Sequence, residues 1–231
     1  MDTFSIRLKV YMLRSVMANQ IQAKSGALID KGFMTDKSLM KFHETNKYKM
    51  YCYNNLWPLE KDKCYKKGKI YTLTIRTIDP NLAKYFSEIC PNLYTDELKG
   101  LSADIRILPK HWIQTLYTTS PVIIKDAEKG YWRTHKSLPE FEDRLKTNLI
   151  KKWNAFQHDK IDEDFQLYTS LEFLNEGPIA LEYKNIKLLG DKIRLQIADN
   201  KRAQEISYMA LGTGICEMNS RGWGFVNYRW M

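Results

Sequence analysis

Four glycines close to the carboxyl end constrain this chain more than any other feature of its sequence. They form the pairs Gly212-Thr213-Gly214 and Gly222-Trp223-Gly224 around the polar centre Asn219-Ser220-Arg221. Glycine adopts positive φ without steric cost and lets another backbone approach closely, and consecutive inward-turned amides can form a nest for an anion. We therefore predict a phosphate-binding loop, whose contact residues are Gly212, Gly214, Asn219, Ser220, Arg221, Gly222 and Gly224.

The segments on either side of the glycines show which kind of anion-binding loop this is. Apolar residues at helical spacing over residues 199–210 predict a short helix, and residues 223–230 predict a terminal strand. A dinucleotide fingerprint or a P-loop requires the reverse order, in which a strand precedes the loop and a helix follows it. The order of helix, loop and strand therefore excludes both nucleotide motifs.

The charge balance indicates a polyanionic partner. The 231 residues carry a formal net charge of +9, which suits nucleic acid or an anionic membrane surface, or else a solvated basic surface without a partner. No apolar run is long enough to span a bilayer, and the amino terminus has no signal-peptide pattern. We expect a cytoplasmic protein with no membrane partner.

The cysteines do not suggest a metal site or a disulfide framework. Cys52, Cys64, Cys90 and Cys216 are scattered along the chain, and no C-x-x-C pair occurs. The histidine and acidic residues do not have the spacing of a zinc site either. We expect reduced thiols, no metal and no cofactor.

The predicted elements follow the same order in the two halves of the chain. In the first half, one helix closes near Gly32 and another begins at Asp79-Pro80, an N-cap followed by proline. In the second half, Ser137 and Glu140 fit a capping box ahead of a long amphipathic helix. Strands are predicted at residues 4–12, 48–56, 70–78, 101–108 and 112–118, and then at 122–124, 131–133, 165–173, 193–197 and 223–230.

This order predicts the fold class. Two β-α-β-β-α-β units in tandem are ferredoxin-like folds. We therefore predict an α+β protein with two tandem ferredoxin-like domains, residues 1–119 and 120–231, and a carboxy-terminal glycine-rich loop. Because no low-complexity linker separates the halves at Ser120-Pro121, we expect them to pack tightly.

The glycine-rich end also carries a family resemblance. The pattern Gly212-x-Gly214, followed by Asn219-Ser220-x-Gly222-x-Gly224-Phe225-Val226, resembles the CRISPR-associated endoribonucleases that process repeat RNA. These are the sixth of the Cas proteins, in the RAMP superfamily. Supporting matches are the segment Thr119-Ser120-Pro121-Val122 and residues 69–76, so that the resemblance covers essentially the whole chain.

The resemblance implies both a reaction and its residues. It implies metal-independent cleavage of CRISPR repeat RNA, the precursor crRNA, by attack of a 2′-hydroxyl on its own phosphate, leaving 2′,3′-cyclic phosphate and 5′-hydroxyl ends. It also implies a histidine shortly after the first helix, here His43, with Lys49 as its lysine companion. Residues 18–31 lack the helix tyrosine of some members, so Tyr48 or Tyr51 substitutes for it or His43 acts without one. Other Cas proteins of an effector complex are implied partners.

The residues themselves leave these roles open. Histidine, with an unperturbed pKa of about 6.5, can accept or donate a proton in this reaction, yet His43 also fits a polar loop position without a role. Lys49 likewise fits a solvated lysine. Trp132 is more typical of a core than of a base-stacking platform. Two groups of basic residues fit either an RNA contact or a solvated face. They are the basic residues within 61–69, and Arg144, Lys146, Lys151 and Lys152.

Two other functions remain open at this point. One is a non-catalytic RNA-binding subunit of the same superfamily, and the other is a basic single-strand binder unrelated to CRISPR. Cleavage of repeat RNA separates the first from an endoribonuclease, and discrimination between repeat and scrambled RNA separates the second. The sequence fits a monomer or a homodimer equally well.

Overall fold

The structure, a computed structural model, describes residues 1–34, 37–45, 47–125, 130–183 and 186–231. The side chains of residues 37, 38 and 43 lie outside this description. The helices and strands of the first half are β1 (Phe4–Met12), β2 (Val16–Met17), α1 (Ile21–Phe33), α2 (Lys37–Glu44), β3 (Tyr51–Tyr53), β4 (Cys64–Tyr65), β5 (Ile70–Thr77), α3 (Pro80–Lys84) and β6 (Leu98–Ile107).

The second half begins with a strand that the sequence assigns to the first. Its helices and strands are β7 (Ile113–Thr118), α4 (Leu138–Gln157), β8 (Tyr168–Phe173), β9 (Ile179–Tyr183), β10 (Ile186–Gly190), β11 (Ile193–Ile197), α5 (Lys201–Thr213) and β12 (Val226–Trp230). Among the described residues, no helix combines the length and the apolar character needed to cross a lipid bilayer.

Two four-stranded antiparallel sheets confirm the predicted fold class. The first sheet has the order β3-β5-β1-β6 and the second has the order β12-β7-β11-β8. In each sheet the first and third strands of the unit lie at the centre, and helices connect the first strand to the second and the third to the fourth. This is the β-α-β-β-α-β arrangement of a ferredoxin-like domain, present twice.

The position of β7 corrects the predicted boundary between the domains. The sequence predicts that residues 112–118 end the first domain, which would run to residue 119. In the structure β7 pairs with β11 and β12, and it buries Ile113 and Leu116 in the second core. Residues 122–124, predicted as a strand of the second domain, form only isolated bridges. By strand pairing, the domains therefore meet between β6 and β7.

Residues 132–134 form a 3₁₀ turn that Tyr131 precedes, so the prediction of residues 131–133 as a strand is wrong. Three neighbouring side chains converge on the fully buried carboxylate of Asp191: Tyr131 donates its hydroxyl at 2.8 Å, Trp132 its Nε1 at 2.7 Å and Arg133 its Nη2 at 2.9 Å. Successive side chains of a strand point to opposite faces and could not converge in this way. The prediction of Trp132 as a core residue is confirmed, since it is 5% exposed.

Both predicted helix starts are confirmed, and one hairpin is new. The Asp79 carboxylate caps α3, and Ser137 forms a capping box with Glu140 at the start of α4. Beyond α3 the chain continues as a π-helical turn over Tyr85–Ile89. The sequence does not predict the separate β9–β10 hairpin, because its side chains are half-buried or exposed and their alternation is weak.

A buried arginine joins the two halves. Arg76 of β5 donates from Nη1 to the Val226 carbonyl at 2.7 Å and from Nη2 to Asn227 Oδ1 at 3.0 Å, both on β12. Its guanidinium carbon lies 4.6 Å from the ring centroid of Phe225 and 5.6 Å from that of Tyr228. The first sheet is therefore bonded directly to the last strand of the second.

Candidate active site

Three of the four carboxy-terminal glycines occupy positions that require glycine. The segment over residues 214–225, called here the glycine loop, contains Gly214, Gly222 and Gly224 at φ values of 72°, 89° and 61°. Space is also lacking: a Cβ on Gly224 would lie 2.0 Å from the Ile215 carbonyl oxygen. The tight geometry predicted for this loop is therefore present, because side chains other than hydrogen are excluded by both conformation and contact.

Gly212 does not lie in the loop. It belongs to α5, which ends at Thr213, and a Cβ at this position would lie 2.7 Å from Ile78 Cγ2 and 3.1 Å from Thr3 Cγ2. The prediction that Gly212 belongs to the loop is wrong for this reason. The residue instead allows α5 to pack closely against the end of β5.

The loop amides do not form the predicted nest at the glycines. The Gly214 amide donates to the Ala210 carbonyl at 2.8 Å, Gly222 to Asn219 at 3.0 Å and Gly224 to Pro121 at 2.8 Å. All three glycines are buried. Since a donor bonded to an internal carbonyl is not offered to a ligand, a phosphate cradle built from these three amides is contradicted.

A buried lysine and an asparagine hold the loop together. Lys152 of α4 donates from Nζ to the carbonyls of Gly214 and Cys216, both at 2.9 Å, and to Asn219 Oδ1 at 2.7 Å. Asn219 Nδ2 in turn donates to the carbonyls of Ile215 and Trp223, both at 2.9 Å. Burial lowers the pKa of Lys152 to about 8. The Asn219 side chain therefore forms its hydrogen bonds inside the loop.

Sequence reasoning missed the structural role of Lys152, although a signal for it exists. The predicted alternatives for this lysine are an RNA contact or a solvated face, and the structure contradicts both, since it is only 4% exposed. Position 152 follows Leu145 by seven residues and Leu149 by three, so that it falls on the buried stripe of α4. A lysine on such a stripe indicates buried acceptors that bind its ammonium.

Contacts with α1 hold the other end of the loop. Gln22 donates from Nε2 to the Gly222 carbonyl at 2.7 Å and accepts from Trp223 Nε1 at the same distance. Arg221, predicted to contact phosphate, forms an ion pair with Asp30. Its guanidinium is therefore already neutralised by a carboxylate of the first domain.

The two domains meet around a cavity of about 220 Å³, called here the interdomain pocket. One wall is formed by residues 47–51, which follow α2, and the opposite wall by residues 216–220 of the glycine loop. Asn148 and Lys152 of α4, together with Lys125 and Thr213, complete it. The structure thus brings Tyr48 and Lys49 to the same pocket as Asn219 and Ser220, from opposite halves of the chain.

Lys49 ties α2 to this pocket. Its Nζ donates to the carbonyl of Phe42 and, at 2.7 Å, to that of Thr45. These carbonyls lie on either side of His43, whose backbone belongs to α2 and whose side chain lies outside the described residues. Burial first, and then the Arg221 charge, lower the pKa of Lys49.

The pocket tyrosines are poorly suited to hold a negative charge. Burial, followed by the Glu217 carboxylate, raises the pKa of Tyr48. Burial also raises the pKa of Tyr51 well above its usual range, although a hydrogen bond with the Ser220 side chain opposes this. Glu217 itself accepts from the Arg144 guanidinium at 2.6 Å, which holds that carboxylate at the rim of the pocket.

Asn148 places a hydrogen-bond acceptor in the pocket wall. The residue is 8% exposed, and its Oδ1 has no hydrogen-bond partner within the described part of the chain. A buried acceptor left in this state costs free energy unless a ligand supplies a donor. Position 148 follows Phe141 by seven residues and Leu145 by three, so the buried stripe of α4 also indicates this residue, which sequence reasoning missed.

Fold and site together define a class of protein: a tandem ferredoxin-like chain whose final helix, loop and strand close on a pocket shared with the first domain. The family model described as CRISPR associated protein Cas6, C-terminal, matches residues 108–228. The chain belongs to the Cas6 family of CRISPR-associated proteins. The start of the match at residue 108 agrees with the assignment of β7 to the second domain.

Solved structures share this fold over nearly the whole chain. A RAMP protein described as binding different RNA substrates is similar at a TM-score of 0.69 and 18% identity, covering 98% of this chain and 99% of its own. A Cas6-related protein from Pyrococcus furiosus is similar at 0.67 and 18%, covering 98% of each chain. A Cas6 product complex is similar at 0.60 and 17%, covering 99% of each. Comparison with curated proteins finds no match.

Proposed function

We propose that this protein is a metal-independent endoribonuclease that cleaves CRISPR repeat RNA. The 2′-hydroxyl attacks the adjacent phosphorus, and the bond to the 5′-oxygen breaks, which leaves a 2′,3′-cyclic phosphate and a 5′-hydroxyl. The observation that carries this proposal is the interdomain pocket, in which Tyr48 and Lys49 face the glycine loop. Family membership and the fold shared with a Cas6 product complex support it.

His43 is assigned the proton transfers of the reaction. Of the open alternatives, a tyrosine base is the weaker, because burial raises the pKa of both Tyr48 and Tyr51 and disfavours their phenolates. An imidazole near its ordinary pKa can take the 2′-hydroxyl proton at neutral pH. Tyr48, which keeps its proton, is assigned a hydrogen bond to a phosphate oxygen or the leaving oxygen.

Lys49 and Ser220 are assigned the phosphate. The Lys49 ammonium supplies positive charge for the pentacoordinate transition state, and its bonds to the last turn of α2 fix its position relative to His43. Ser220 brings a hydroxyl from the opposite wall. Within the loop, Gly214, Gly222 and Gly224 act on RNA only indirectly, by giving residues 216–220 their shape.

Asn148 and the surrounding lysines are assigned to substrate binding. The Asn148 Oδ1 acceptor suits a ribose hydroxyl, the donor that RNA has and DNA lacks. Lys47, Lys125 and Lys151 line the interdomain pocket or the cleft next to it. Such cations bind the RNA backbone through counterion release, so we expect affinity to fall steeply with salt.

Incubation of repeat RNA with the protein in EDTA tests the proposal. We expect a single cut with a 2′,3′-cyclic phosphate end, abolished by His43→Ala but unaffected by His135→Ala, a histidine outside the pocket. If the His43→Ala variant still binds RNA, its defect lies in the cleavage step and not in substrate binding. Binding without any cleavage by the wild-type protein would instead support the non-catalytic RNA-binding subunit.

A further inference from the structure

A second cavity, of about 480 Å³, is lined by the second domain, by the segment that precedes β7 and by Met1 of the first domain. It is formed where the last turn of α4, the first turn of α5 and the residues before β7 meet. Of the residues that the structure describes, none lines both this cavity and the interdomain pocket. Along α4, Trp153 and Gln157 face this cavity, whereas the neighbouring Lys152 faces the glycine loop. We call it the basic-aromatic pocket, after its lining side chains Trp112, Trp153, Lys110, Lys201 and Arg202.

Trp112 presents an exposed indole on a backbone that cannot move freely. Its side chain is 47% exposed, and its carbonyl accepts a hydrogen bond from the Met231 amide at 2.8 Å. The backbone of the next residue, Ile113, forms two hydrogen bonds with the Gln204 side chain. The Ile113 amide donates to Gln204 Oε1 at 2.7 Å, and the Ile113 carbonyl accepts from Gln204 Nε2 at 3.1 Å. A large apolar ring held in this way loses little conformational entropy when a flat ligand stacks on it.

The cavity is also rich in positive charge. Lys201 and Arg202 lie in the first turn of α5, where the helix dipole adds to the attraction for an anion. Arg202 lies over the second indole, with its guanidinium carbon 5.8 Å from the ring centroid of Trp153. Glu205 neutralises Arg202 at 3.1 Å, whereas Lys201 has no ion pair within the described residues.

We propose that the basic-aromatic pocket binds one unpaired nucleotide of an RNA chain. The base stacks on Trp112, and Lys201 and Arg202 bind the phosphate. Gln157 and Glu205 also line the pocket and can form hydrogen bonds with the edge of the base. Indole and ammonium together match the flat ring and the charge of a nucleotide, whereas an acidic peptide supplies charge without a flat ring to stack on the indole. Only the choice of RNA as the polymer rests on the proposed function.

Binding of fluorescein-labelled hexaadenylate, a short RNA without repeat sequence, tests the pocket apart from cleavage. We expect Trp112→Ala to weaken the affinity about tenfold, which corresponds to about 1.4 kcal/mol. Lys201→Ala should weaken it and reduce the salt slope by about 0.7, the value for one contact to single-stranded phosphate. Trp57→Ala, a change at a tryptophan of the first domain that is 71% exposed, is the matched control and should bind as the wild type does.

The outcomes separate this proposal from the cleavage proposal. Equal affinities of the wild type and Trp112→Ala for hexaadenylate would overturn it, as would equal losses in Trp112→Ala and Trp57→Ala. Competition by AMP as strong as that by hexaadenylate would overturn the RNA-chain form in favour of a free nucleotide. Because Trp112 lies outside the interdomain pocket, single-turnover cleavage at saturating protein should keep its wild-type rate in Trp112→Ala. Absence of cleavage in the wild type would leave the hexaadenylate result unchanged.

Discussion

The Lys152 ammonium donates a hydrogen bond to Asn219 Oδ1 at 2.7 Å, and this contact links the middle of α4 to the glycine loop. Together with the two carbonyls bound by the same ammonium, it makes the loop a fixed wall of the interdomain pocket. The stability of the loop and the activity of the pocket should therefore depend on a residue that does not need to touch RNA.

Replacing Lys152 with methionine should destabilise the protein. The change leaves the Cys216 carbonyl and Asn219 Oδ1 without this donor, and the Gly214 carbonyl keeps only the Thr213 hydroxyl at 3.3 Å. We expect a net loss of about 2 kcal/mol after allowing for the buried charge that is removed. Urea unfolding measures the loss. Lys151→Met is the matched control, because Lys151 is exposed and its replacement should change the free energy of unfolding by no more than about 0.5 kcal/mol.

The stability difference between wild type and Lys152→Met should depend on pH. Burial lowers the pKa of Lys152 from 10.5 to about 8, so between these values the unfolded chain binds more protons than the folded one. Raising the pH through this window therefore stabilises the wild type relative to the variant, and the gain is lost as the pH falls through about 8. Unfolding of both proteins at pH 7.5, 9 and 10.5 follows the difference, in which other titrating groups cancel. A constant difference would show that the pKa of Lys152 is unshifted.

Gly224→Ala should cost far more stability than Gly130→Ala. Both glycines have positive φ, at 61° and 72°, so that both changes carry the backbone strain of about 1 kcal/mol. At Gly224 the new Cβ would also meet a carbonyl oxygen at 2.0 Å, whereas at Gly130 it would meet no atom of the described residues within 4 Å. We expect the additional clash to raise the loss at Gly224 to about 3 kcal/mol or more. Thermal unfolding of the two variants compares them, and similar midpoints would contradict the loop geometry.

Asp30 should restrain the affinity of Arg221 for phosphate. Because the two form an ion pair, Asp30→Asn frees the guanidinium and should strengthen RNA binding and steepen its dependence on salt. Arg221→Ala should weaken binding and reduce the slope by about 0.7. Anisotropy titrations at several salt concentrations measure both. If neither change alters the slope, Arg221 serves only to attach the glycine loop to α1.

Asn148→Leu should separate stability from activity. Its buried Oδ1 has no partner within the described residues, so an apolar replacement of similar size should leave the free energy of unfolding within about 1 kcal/mol or increase it. Cleavage of repeat RNA should nevertheless fall about tenfold, the effect of one lost hydrogen bond to the substrate. Single-turnover cleavage and urea unfolding are measured on the same variant. Wild-type cleavage would remove Asn148 from the site.

Local patterns carry most of the fold, and long-range contacts decide the rest. The strand at Phe4–Met12 and the capping box at Ser137 are predictable because both depend on residues close in sequence. The sheet membership of β7 is not, since its partners β11 and β12 follow it by about 80 and 110 residues. The alternation of apolar and polar residues along a strand indicates which face of the strand is buried, but it does not indicate which sheet the strand joins.

The candidate site divides in the same way. Glycine at positions 214, 222 and 224 signals unusual backbone, which the structure contains. The presence of glycine at these positions does not show whether the backbone amides donate to a ligand or to carbonyls of the protein. Here they donate to carbonyls of the protein. The spacing along α4 places Lys152 and Asn148 on its buried stripe, but which groups they meet there depends on what packs against the helix, which no local pattern encodes.

Arg76 makes the two domains inseparable in practice. Separation of the domains would remove the Val226 carbonyl and the Asn227 amide oxygen, which accept hydrogen bonds from the Arg76 guanidinium. It would also remove the rings of Phe225 and Tyr228 that cover the guanidinium, and no carboxylate in the described surroundings would replace these contacts. Neither half expressed alone should therefore fold stably. Under the proposed function, an RNA chain would enter a cleft whose two walls Arg76 holds together, and such a cleft favours a chain that can bend over one that is base-paired at the cut.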